Sequence, residues 1–237
     1  MNDTFASEEH DVVVRIPVDG VAITGNLNIP PGARGLVLFA HGSGSSRHSP
    51  RNRYVASELR AGGLATLLMD LLTAEEEERD RLTGELRFDI DLLATRLIAA
   101  TDWLGREPST RDLKVGYFGA STGAGAALVA AAMRPAVIGA VVSRGGRPDL
   151  ARSALAQVRA PSLLIVGGDD APVIAMNREA FAALRVEKKL EIVPGATHLF
   201  EEPGTLEHVA RSARQWFERH LTPAGQHAAL GDERAGR

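Results

Sequence analysis

The chain has no cysteine, which excludes a disulfide framework, thiolate metal ligands and a cysteine nucleophile, and fits a reducing compartment. It has no basic excess either. With 27 Lys+Arg against 30 Asp+Glu, nothing is in surplus to displace the counterions of a nucleic acid. Aromatic residues make up only 5%, so no stacking surface can be read from them. Long apolar runs are missing: the most apolar stretch, 123–142, is split by Arg134 and Pro135 into pieces too short for a bilayer. The opening residues, MNDTFASEEHD, are acidic and lack the positive start and apolar stretch of a secretory signal. These absences predict a cytoplasmic protein that binds neither nucleic acid nor membrane. Lysine is also scarce, confined to Lys114, Lys188 and Lys189; the arginine, alanine and glycine usage hints at a GC-rich bacterial genome.

What is present is ordinary for a folded globular protein. The 237 residues are 44% hydrophobic and 24% charged, which rules out general disorder and suits burial of roughly 70–75% of the unfolded surface. No internal repeat, long linker or change of composition divides the chain. A single domain over residues 1–221 is expected, followed by a polar tail, 222–237, with too little to bury to stay ordered.

Residues 12–18 (VVVRIPV), the turn Asp19-Gly20 and the run from Val21 read as a β-hairpin. Short apolar runs then recur at 35–40, 64–70, 114–120, 136–143, 161–168 and 188–194. Helix-period segments alternate with them at about 50–61, 89–106, 122–133, 148–158, 173–184 and 205–220. Continuous apolar strands alternating with helices predict an α/β fold: a mostly parallel twisted sheet, helices on both faces, and an antiparallel N-terminal hairpin at one edge. The charged stretch 73–88 interrupts the rhythm and reads as a solvated surface helix or loop, with a site lid as the competing reading.

In open parallel sheets functional groups gather beyond the carboxyl ends of the strands. Gly119-x-Ser121-x-Gly123 stands there in a strand–turn–helix context, the setting of a nucleophile elbow. A sharp turn holds the hydroxyl clear, the glycines let strand and helix approach, and the helix N-terminus favours a developing oxyanion. The bare motif is weak in a chain with 24 glycines; its placement gives it weight. A serine needs a base and the base an orienter. His198 follows a later strand, and Asp169 and Asp170 both end the one before it. Asp149 is a more distant acid, better suited to capping the next helix. The oxyanion would be held by the backbone N–H groups of Thr122 and of Ser43, in the loop after residues 35–40. His41 ends a strand close by and reads as a turn-shaping residue, while His208 and His220 read as surface residues of the last helix. Arg144 and Arg147 lie beside the expected site, where an arginine could take a substrate carboxylate; bonding to loop carbonyls is the competing reading.

Gly119-x-x-x-Gly123-x-Gly125 is also similar to the phosphate turn of short-chain dehydrogenases. That turn belongs after the first strand of a domain, however, and the expected downstream Tyr-x-x-x-Lys pair is missing, since no tyrosine follows Tyr117.

Four motifs taken together resemble the α/β-hydrolase fold, and most closely its dienelactone-hydrolase-like branch of small enzymes without a large cap domain. They are His41-Gly42-Ser43-Gly44-Ser45, Gly119-Ala120-Ser121-Thr122-Gly123, Gly167-x-x-Asp170-x-x-Val173 and Gly195-x-x-His198. The resemblance spans about residues 10–221 and favours Asp170 over Asp169 as the acid. It implies a serine hydrolase acting on a carboxylic ester, lactone or thioester through an acyl-enzyme, with Ser121, Asp170 and His198 as the triad. Ser43 and Thr122 would form the oxyanion hole, and neither a metal nor an organic cofactor is called for. The partner expected is a small-molecule ester. One departure stands out: dienelactone hydrolases proper use a cysteine nucleophile where this chain has Ser121. The same scaffold also serves as a catalytically silent binding module, which is the alternative from another class.

Overall fold

A computed structural model describes residues 11–222. The predicted tail therefore lies, except for Thr222, outside the described residues.

Eight strands form one sheet in the order β1-β2-β4-β3-β5-β6-β7-β8. They are β1 (Val12–Val18), β2 (Val21–Asn28), β3 (Leu36–Ala40), β4 (Ala65–Met69), β5 (Val115–Ala120), β6 (Ile138–Arg144), β7 (Ser162–Gly167) and β8 (Lys188–Val193). The β1–β2 hairpin is antiparallel and β2 runs antiparallel to β4; every other pair is parallel. Every residue of β3, β4, β5 and β7 is buried, as expected of central strands covered on both faces.

Two apolar layers do the covering. Leu36, Leu38, Leu67 and Tyr117 face α3 (Ile90–Leu104) and α4 (Thr122–Met133). Val37, Phe39, Phe118 and Ile165 face α1 (Pro50–Ala61) and α6 (Thr205–Leu221), whose Trp216 and Phe217 complete that layer. The Gly- and Ala-rich α4 is apolar around almost its whole circumference, fitting a helix buried between neighbours.

Two segments depart from the expected pattern. Residues 73–88 form α2 (Ala74–Thr83) and a 3-10 turn, Leu86–Phe88, both held firmly. Thr73 and Glu76 close a capping box, and the buried Asp80 carboxylate accepts from the Leu86 and Arg87 amides and from Arg87 Nε. Pro148–Gln157, expected to be α-helical, is instead 3-10 in character with a break at Arg152, whose φ is 47°. The remaining helix, α5 (Ala171–Ala183), begins directly after Asp170.

The sheet order sets the position of the site. From β3 the chain moves to one side to make β4, then returns to the other side to make β5. That reversal leaves a crevice above the carboxyl ends of β3 and β5, between the loop at His41–Ser49 and the turn at Ser121.

Candidate active site

Ser121 links β5 to α4 with φ 50° and ψ −122°, a left-handed conformation costly for any residue with a Cβ. It occupies the helix N-cap position, yet its hydroxyl makes no capping bond, so Oγ is not spent on the helix. The flanking glycines are required by contact. A Cβ on Gly119 would sit 2.4 Å from Ala124 Cα, and one on Gly123 would sit 2.3 Å from the Ala40 carbonyl oxygen. Strand, turn and helix can close around Ser121 only because both positions lack side chains.

Asp170 and His198 are brought together by their loops. The Asp169 amide donates to the Ala196 carbonyl at 3.0 Å and the Gly168 amide to Val193 at 2.8 Å, lacing the loop after β7 to the loop after β8. His198 Nδ1 then lies 2.7 Å from Asp170 Oδ2. The Asp170 side chain is 13% exposed against 39% for His198, so the carboxylate is the sheltered partner. Asp169 is exposed and makes no such contact. Glu202 accepts from the Thr197 amide and hydroxyl at 3.1 and 2.6 Å, bracing the residue before His198. Those two bonds hold the Glu202 carboxyl below its ordinary pKa.

Ser121 and His198 line one cavity of about 250 Å³, together with Gly42, Ser43, Ser45, Arg51, Asn52 and Arg144. A larger hollow of about 830 Å³ adjoins it at Ser45 and is walled by α2 through Glu77 and Arg81; Ser121 does not line it. Thus α2 borders the neighbouring hollow, and the small cavity is not roofed by it.

The other predicted residues fare differently. Thr122 heads α4, and its amide starts the helix next to Ser121. The Ser43 amide reaches the same place and there donates to Thr122 Oγ1 at 2.9 Å. The expectation for Arg147 is corrected. Its guanidinium forks onto Asp149 at 2.9 and 2.8 Å, and that carboxylate raises its pKa, so neither residue serves the cavity or caps a helix. Arg144 does line the cavity, at 7% exposure. Burial, with nearby Arg51 adding to it, lowers its pKa to about 10, which leaves it charged near neutrality.

His41 is buried, pairs through Nδ1 with the Gly42 carbonyl at 2.9 Å and accepts the Leu71 amide at Nε2 at 3.0 Å. It ties the loop after β3 to the loop after β4, and burial depresses its pKa. His220 is not the surface residue expected: only 11% of its side chain is exposed, and its ring lies tilted at 58° against Trp216 with centroids 4.7 Å apart.

Asn52 and Arg51 of α1 were not among the expected site residues. The signal for Asn52 was present: it shares the buried face of α1 with Val55, Ala56 and Leu59, a polar residue at a core position of the helical period. Among the described residues, no group of three or more His, Asp or Glu is placed to hold a metal ion, and no helix is long and apolar enough to cross a membrane.

Residues 25–226 match the model of the dienelactone hydrolase family. The chain belongs to that family. This dienelactone hydrolase family member is 64% identical to the crystal structure of a dienelactone hydrolase from Anabaena variabilis, with a TM-score of 0.88 covering 90% of this chain and 99% of that one. It also matches Est1E from Butyrivibrio proteoclasticus, a likeness of fold at 18% identity with a TM-score of 0.73, covering 87% of this chain and 98% of that one. Two Mycobacterium tuberculosis proteins, each named "Putative phosphoribosyl transferase", are 58% identical over 215 residues. That match takes in 91% of this chain, which spans about half the length of these relatives, 48%. The shared fold is the α/β-hydrolase fold, and hydrolysis is the activity its family carries.

Proposed function

We propose that this chain is a serine hydrolase cleaving a small carboxylic ester, lactone or thioester through an acyl-enzyme. The observation that carries the reading is the 2.7 Å contact between Asp170 and His198 Nδ1, beside a strained Ser121 whose hydroxyl is not used in capping. Asp170 holds the imidazole with Nδ1 protonated and leaves Nε2 free to act as the base for Ser121, which lines the same cavity as His198. His198 takes the hydroxyl proton as Ser121 attacks the carbonyl carbon, then returns it to the departing alcohol. Water, activated by the same imidazole, releases the acid and regenerates the serine. The Thr122 amide, at the positive end of α4, stabilises the tetrahedral oxyanion. The Ser43 amide joins it when Thr122 Oγ1 yields, because a full negative charge is a better acceptor than a hydroxyl.

The name borne by the mycobacterial relatives does not favour phosphoribosyl transfer here, since it describes proteins of which this chain spans only 48%. A fluorophosphonate should label Ser121, and Ser121→Ala should abolish hydrolysis of a short p-nitrophenyl ester, a loss on the order of 10⁶ in turnover. Retained turnover in Ser121→Ala would remove the reading.

A further inference from the structure

We propose that the Asn52 carboxamide is a side-chain donor to the oxyanion, added to the Thr122 and Ser43 amides, and that Arg144 acts through it as a positioning residue. The inference deepens the serine-hydrolase reading and rests on it.

Asn52 is only 2% exposed, on the buried face of α1, and lines the cavity shared by Ser121, His198 and Ser43. Its backbone is fixed, because Ser49 caps α1 by accepting the Asn52 amide at 3.4 Å. Its carboxamide is fixed as well. Oδ1 accepts from Arg144 Nη2 at 3.5 Å, and a guanidinium carries donors only, so the oxygen must be the end that faces it. The NH2 group is thereby turned away from Arg144. Among the described residues Nδ2 meets no acceptor, and unlike Arg144 Nε and Nη1 it keeps accessible surface. In a residue so deeply buried, that surface opens into the cavity.

A buried donor without an acceptor weakens a fold, and so does a buried cation without a counter-ion. Here the two stand in series, from Arg144 through Asn52 to the cavity. The nearby carboxylates are already taken, Glu201 by Arg51 at 2.8 Å and Asp170 by His198 at 2.7 Å. Both deficits are met at one moment of the reaction. As Ser121 Oγ bonds to the carbonyl carbon, the C=O π pair moves onto oxygen and the hydroxyl proton moves to His198. A negative charge is left in a cavity of only about 250 Å³. The Asn52 Nδ2–H group donates to that oxygen, and the guanidinium at the other end of the same amide polarises it. The 3.5 Å bond from Arg144 tightens as the charge develops. A positive charge unmatched at rest and matched in the transition state lowers the barrier, not the energy of the bound ester.

The test uses the full chain and a neutral ester, p-nitrophenyl butyrate. Asn52→Asp should lower kcat on the order of 10²–10³-fold with KM little changed, because the donor has become an anion beside the oxyanion. The same variant should melt above the wild type, since the Arg144 guanidinium gains a carboxylate partner. Activity and stability thus move in opposite directions, which a merely structural Asn52 does not produce. Asn52→Leu should lose comparable turnover. Both variants should bind a trifluoromethyl ketone, which forms a tetrahedral anion on Ser121, about 10-fold or more weakly than the wild type. Arg144→Met should lower kcat by about 10-fold, equally for p-nitrophenyl butyrate and for the anionic p-nitrophenyl monoester of succinic acid. Wild-type kcat in Asn52→Asp, or a loss carried by KM alone, would overturn the proposal. Joint loss of turnover and melting temperature would overturn it too, assigning Asn52 a structural role. A loss in Arg144→Met confined to the anionic ester would overturn the part given to Arg144. Failure of a fluorophosphonate to label wild-type Ser121 would instead fault the serine-hydrolase reading, and this inference with it.

Discussion

Ser121 and Asp170 show how differently two polar residues in neighbouring loops can be read. The glycines around Ser121 mark the turn by their placement between an apolar strand and a helix-period segment, and the contacts of the folded chain require Gly at both 119 and 123. For the acid, the residues themselves leave Asp169 and Asp170 open, because both end the same strand. Only the lacing of the β7 and β8 loops turns Asp170 toward His198 and leaves Asp169 exposed. This yields a paired prediction. Asp170→Asn should lower kcat on the order of 10³–10⁴-fold, because the amide no longer holds Nδ1 protonated. Asp169→Asn should leave kcat nearly unchanged. Steady-state assay of both variants on one ester checks this, and the reverse ranking would move the acid to Asp169. Arginine was harder to read: Arg144 and Arg147 are three residues apart and chemically identical, yet one is forked by Asp149 and the other is buried without an acid. Spacing cannot separate them, because the difference lies in which acceptors the fold brings near.

Strands and helices followed their local patterns closely where apolar runs were long, and failed where chain geometry intruded. The 3-10 segment Pro148–Gln157 has a helix-like spacing of apolar residues, but Arg152 breaks it at φ 47°. Residues 73–88, weakly periodic and charged, still make a helix because the Thr73–Glu76 capping box starts it and Gly84, in the left-handed region, ends it. The elbow is where strand and helix depend on each other most. Gly123→Ala would place a methyl 2.3 Å from the Ala40 carbonyl oxygen and 2.4 Å from that of His41. Backbone cannot yield as a side chain does, so α4 must move off β3. The expected outcome is a destabilisation on the order of 1–3 kcal/mol in urea unfolding, together with loss of ester turnover as Ser121 shifts.

Stability against pH belongs to the molecule as a whole. His41 and His220 both have pKa values pushed below 6.5, in each case chiefly by burial. The unfolded chain therefore takes up these protons first as pH falls. The stability they contribute is fully present above 6.5 and is lost as pH drops through the lowered folded values. Melting temperature should accordingly fall on acidification below 6.5, and a His41→Gln, His220→Gln double variant should show a flatter decline over that range; an unchanged slope would refute this origin. From its order of residues alone the chain specified the alternation of strands and helices, the N-terminal hairpin and the motifs that mark Ser121 and His198. Those are local matters of periodicity, turn chemistry and steric need. The tertiary structure decided which acid meets the imidazole, that Thr122 holds the Ser43 amide, that Asn52 and Arg51 of α1 wall the cavity, and that Arg144 keeps an unmatched charge. Each of these depends on distances between groups far apart in the chain, and such distances are set only when the loops above the crevice pack against one another.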